Sequence, residues 1–99
     1  MNLEKALLQE HSKKLANRIV NYEGADRERF AELIKLFLSG EYRLTQRAAW
    51  PLSYCVQFHP SLVGPHLNKL VKQLYRSDVH NAVTRNIIRL FQFIEIPVR

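Results

Sequence analysis

The sequence predicts an all-α chain: about five antiparallel helices stacked in pairs as a short α–α superhelix. Three observations predict it. Apolar residues recur at helical spacing in five successive segments, and no segment sustains the strict alternation of a strand. Blocks of residues return further along the chain at nearly constant spacing. Three glycines and four prolines in 99 residues are too few for the turns of a β-sandwich or barrel.

The first helix is expected over about Leu3–Tyr22, with Leu8, Leu15, Ile19 and Tyr22 on one stripe and Ala16 and Val20 beside it. Gly24 stops it, because glycine tolerates the backbone turn after a helix. Asp26 is a side-chain cap for the second helix, about Arg27–Ser39, whose stripe is Phe30, Leu33, Ile34, Phe37 and Leu38 and whose end is Gly40. The third runs over about Tyr42–Phe58. Pro51 inside it removes one ladder hydrogen bond, so a kink near Arg47–Pro51 is expected rather than a break. The fourth starts near Pro65, a favourable first-turn residue, and ends near Arg76, with Leu67, Leu70, Val71 and Leu74 on its apolar stripe. Ser77 and Asp78 open the fifth, about Val79–Ile94, and Pro97 closes it. The short connections favour antiparallel neighbours.

Length allows one domain, residues 1–99, which could be the N-terminal part of a longer solenoid. An apolar fraction of 46% is enough for a core and argues against disorder. The net charge of +6 is uneven: residues 1–40 hold seven Lys/Arg against six Asp/Glu, and residues 41–99 hold eight against three. A basic second half suits an acidic protein partner or a polyanion. One cysteine, Cys55, permits no internal disulfide, and the acidic N-terminus is unlike a secretory signal. The apolar runs are too short to cross a membrane. A cytoplasmic protein is the resulting expectation.

The repeat is specific. Phe30, Leu33, Ile34, Lys35 and Phe37 return 37 residues later as Leu67, Leu70, Val71, Lys72 and Leu74. Ser39, Arg47 and Leu52 return 38 residues later as Ser77, Arg85 and Leu90. The one-residue difference places an insertion in a turn, where it costs least. Around these turns Leu44-Thr45-Gln46-Arg47-Ala48-Ala49 and Ala82-Val83-Thr84-Arg85-Asn86-Ile87 follow a pattern: a small or branched residue shortly before an arginine in the second helix of a pair.

That pattern resembles the HEAT repeat, strongly from about Phe30 to Pro97 and weakly over the first helix. The family's usual Asp-Val-Arg run is not intact, which leaves armadillo-type and other helical-hairpin repeats open. The chain is also similar to small bacterial HEAT-like proteins sometimes named adenylosuccinate lyase. That name carries no chemistry here, since the lyase fold implies a longer chain and a serine-bearing flexible loop that this sequence lacks. The resemblance implies that Arg47 and Arg85 are structural repeat arginines, tying adjacent turns together through acidic or carbonyl acceptors. It also implies that the second helix of each pair lines a concave surface. Lys35, Lys69, Lys72 and Arg76 lie on those helices and are the candidate partner-binding residues. HEAT-like alkylpurine DNA glycosylases use such a groove on DNA, so nucleic acid is the alternative to a protein partner.

The sequence offers little for catalysis. Cys55 and His59 are four apart on one helical face, as a thiol–imidazole nucleophile would need, but no third residue orients them. Cys55 also falls on the stripe of Leu44, Ala48 and Leu52, which reads as core. The spacings among Cys55, His59, His66 and His80 match no zinc motif. Gly24, Gly40 and Gly64 are isolated and make no phosphate loop. No paired acid–base site, metal or cofactor is expected, and the chain reads as non-catalytic. Trp50 shares a face with Arg43, Arg47 and Tyr54, a stripe that could stack on bases or simply be buried in a central helix. Seven of the ten residues from Ile87 to Ile96 are apolar, too many for one stripe. Ile88, Phe91 and Phe93 therefore form a candidate seam for a further repeat or a second copy of the chain.

Overall fold

The computed structural model describes residues 1–75 and 81–93; the side chains of Asn81 and Ala82 are not included. Six α-helices and one 3-10 segment account for the regular structure there, and no strand occurs among the described residues. They are α1 (Leu3–Gln9), α2 (Lys13–Glu23), α3 (Arg27–Phe37), α4 (Tyr42–Phe58), the 3-10 segment Pro60–His66, α5 (Leu67–Leu74) and α6 (Asn81–Phe91).

The expected first helix is two. Its ladder stops at Gln9, Glu10 and Ser12 are extended, and the Ser12 hydroxyl accepts from the Leu15 N–H at 3.1 Å to start α2. A serine with its own acceptor role at a helix start outcompetes continued helix at that point. Leu3 and Leu7 are buried on α1, and Leu15, Ala16, Ile19 and Glu23 on α2, while Leu8 is exposed. The expected stripe through Leu8 is thereby corrected. Gly24 ends α2 with φ of +51°, and Gly40 turns the chain into α4 at φ +88°. Both lie in the left-handed region that glycine enters at least cost.

Asp26 caps α3 by accepting from the Arg29 N–H at 3.0 Å. Phe30, Leu33, Ile34 and Phe37 are all fully buried on one face of that helix, each contributing roughly 1.5–3 kcal/mol. α4 runs without interruption through Pro51, which is buried. The fourth helix begins later than expected. Pro60 and Pro65 fall in the 3-10 segment, and the α-helical ladder starts only at Leu67. Proline at both ends of a seven-residue stretch suits the tighter 3-10 form. The expected start of the last helix at Ser77–Asp78 and its stop at Pro97 lie outside the described residues.

α4 is the hub. α1, α2 and α6 pack along it, and α3 and the 3-10 segment pack against it as well. α5 rests on the 3-10 segment and on α6. The molecule measures 39 × 29 × 20 Å. The helices pack around a common interior. A single core cluster, from Leu3 in α1 to Leu90 in α6, runs between them. No helix among the described residues is long and apolar enough to cross a membrane.

Candidate partner-binding groove

Two of the four candidate lysine and arginine positions meet on one surface. Lys35 on α3 and Lys69 on α5 line an open groove of about 790 Å³. Its apolar floor is lined by Ala31 and Ile34 of α3 and by Leu38 at the C-cap of that helix, and Gln73 lines the α5 side. Glu32 stands in the same groove, so it is basic but not uniformly so. Lys35 and Lys69 come together because α3 and α5 flank the 3-10 segment, which packs against both. Lys72 is exposed on α5 one turn along but is not among the groove residues. Arg76 lies outside the described residues.

Arg47 crosses from α4 to the end of α1. Its guanidinium donates to the carbonyl of Leu7 at 3.0 Å and of Leu8 at 2.9 Å. The last carbonyls of any helix lack ladder partners, and Arg47 supplies two donors where α1 stops. Its sequence counterpart Arg85 is exposed on α6 and borders a different cleft. The two arginines therefore occupy different environments despite their matching spacing. Of the apolar residues near the end of the chain, Ile88 is half exposed, whereas Phe91 and Phe93 pack part-buried against the core.

Among the described residues, the titratable groups with displaced proton affinities are buried. Glu23 is 1% exposed and neither carboxylate oxygen has a hydrogen-bond partner. Burial, then the nearby charge of Glu32, pushes its pKa up to about 7; Arg29 opposes this and Asp26 adds to it. The sequence contained a signal for this position: Glu23 is four residues beyond Ile19 and eight beyond Leu15, on the buried face of α2. Cys55 is buried, and burial followed by the charge of Glu23 pushes its thiol up to about 12. His59 donates its backbone N–H to the Cys55 carbonyl at 2.8 Å as the helix ends. That is a cap, not a thiol–imidazole pair. His66 is buried against the Phe30 ring at 5.6 Å, its Nδ1 has no partner, and burial followed by the charge of Lys69 lowers its pKa. Among the described residues no group of three or more His, Cys, Asp or Glu could hold a metal ion.

Fold and groove together define a compactly packed, all-helical protein with an open, mixed apolar and basic groove. No family model matches the chain, and neither curated proteins nor solved structures provide a match.

Proposed function

We propose that the chain is a non-catalytic, HEAT-like helical-repeat module that binds another protein, with the α3–α5 groove receiving an acidic amphipathic segment of that partner. The observation that carries this reading is the pairing of Lys35 and Lys69 beside an apolar floor of Ala31, Ile34 and Leu38. An amphipathic segment places apolar side chains on such a floor and carboxylates against the flanking ammonium groups. The groove's apolar content and the carboxylate of Glu32 favour this partner over a nucleic acid backbone, which gains from uniform positive charge and little from Ile34 or Leu38. The positions of Cys55 and Glu23 also favour binding over catalysis. A thiol raised to about 12 and sealed in the core offers a substrate no nucleophile.

The test is capture from the native cell with the whole chain and with a Lys35→Glu/Lys69→Glu variant, before and after nuclease treatment. One protein retained by the wild type, lost with the variant and insensitive to nuclease is the expected result. Retention that nuclease abolishes overturns the protein-binding reading in favour of nucleic acid. So does binding to generic duplex DNA that falls steeply with salt and disappears in the variant.

A further inference from the structure

A second cleft lies between α4 and α6, away from Lys35 and Lys69, and its lining is chemically different. Trp50 of α4 borders it, part-buried. The indole meets the His11 ring at 5.9 Å and 80°, and the Tyr54 ring at 6.3 Å and 67°. Two edge contacts of this kind hold an aromatic ring in a fixed orientation. Arg85 and Arg89 approach from α6, one helical turn apart. Ser53 and Asn86 add polar groups, and no carboxylate is among the described residues of the lining. Neither arginine pairs with an acid among the described residues, where the ion pair is Arg29 with Asp26. Two like charges at this spacing on one helix repel each other. A dianionic or bridging anion placed between them removes that repulsion and takes up their planar donor forks.

We infer that this cleft is a nucleotide-binding site, taking an aromatic base and its phosphate as a unit, either as a free nucleotide or within a single strand. The phosphate sits between Arg85 and Arg89, and the base stacks on Trp50. The volume, about 380 Å³, is within the usual range for small-ligand sites, roughly 300–1,000 Å³. Three separate elements build the site: the α1–α2 junction through His11, α4 through Trp50, and α6 through the two arginines. An aromatic platform beside phosphate-binding cations is how single strands are held without sequence preference. A duplex does not satisfy it, because paired bases are stacked on each other and offer no face to an indole. The site is independent of the α3–α5 groove, so either can fail without the other.

Trp50 is the sole tryptophan of the chain, and its fluorescence reports on the site directly. The whole chain is titrated with adenosine monophosphate, with an eight-nucleotide oligoadenylate and with inorganic phosphate. Saturable quenching by a nucleotide probe is expected. Quenching by both nucleotide probes assigns a free-nucleotide site, and quenching by the oligoadenylate alone assigns a single-strand site. An Arg85→Gln/Arg89→Gln variant, checked for native helicity by circular dichroism, should bind at least about tenfold more weakly, the scale of one lost charged contact. For the oligoadenylate, the slope of log affinity against log salt should flatten by about 0.7 for each phosphate contact removed. Absence of saturable quenching by either nucleotide overturns the inference. Equal affinity in the variant does so too, as does displacement by inorganic phosphate as effective as by adenosine monophosphate, since the base would then contribute nothing.

Discussion

Replacing Glu23 by glutamine should make the protein more stable, and by an amount that depends on pH. The carboxyl of Glu23 is 1% exposed with both oxygens unpartnered. Facing it are Asp26, Arg29 and Glu32 from the next helical segment and Cys55 from α4. The native pKa is about 7, against an ordinary value of 4.5. Between these two values the folded chain keeps a proton that the unfolded chain has released. Stability from this group is therefore fully present below pH 4.5, falls as pH rises through 7, and levels off above. The shift corresponds to about 3 kcal/mol at 1.36 kcal/mol per pH unit. Glutamine cannot ionise, so the variant lacks this loss. Urea unfolding of both proteins from pH 4.5 to 8.5 is the measurement. The two curves should nearly coincide at the acid end, with the variant about 3 kcal/mol ahead at pH 8. His66 acts in the opposite sense: its lowered pKa costs stability as pH falls. That contribution is common to both proteins and cancels in their difference. Cys55 has its raised pKa above this range and does not enter. A difference that stays constant across the range, or a variant less stable at pH 8, would refute the picture of a buried, protonated Glu23.

Two further outcomes follow from the same geometry. Arg47→Ala removes both donors at the end of α1 and should lower stability by roughly 1–3 kcal/mol. A melting curve identical to wild type would show that the two carbonyls are satisfied without it. Cys55 should be nearly inert to a thiol reagent at pH 8 in the folded protein and react fast on unfolding, since a pKa near 12 leaves roughly a thousandfold less thiolate than an ordinary thiol has. Rapid labelling of the native chain, followed by absorbance, would contradict a sealed core position.

The helical class, the caps at Asp26 and Gly24 and the buried face of α3 were legible in the sequence. Each depends on neighbours within one or two turns: a side chain reaching the third N–H, a glycine entering φ > 0, or apolar residues three and four apart. The break at Glu10–Ser12 was missed because an apolar stripe continues across it, and a serine cap competes with helix only weakly in the pattern. Lys35 and Lys69 were named from one surface, and the structure places both in one groove while leaving Lys72 outside its lining.

Repeat spacing put Arg47 and Arg85 in equivalent positions, but only the tertiary structure could decide what each one meets. Arg47 finds helix-end carbonyls because α1 happens to stop beside it; Arg85 faces an open cleft because nothing described covers that side of α6. The same holds for Glu23 and Trp50. Sequence periodicity fixes which direction a side chain leaves its own helix, and that is a local property of the backbone. Whether it then reaches a partner, a sealed core or solvent depends on the helix packed opposite, a long-range contact that periodicity does not encode.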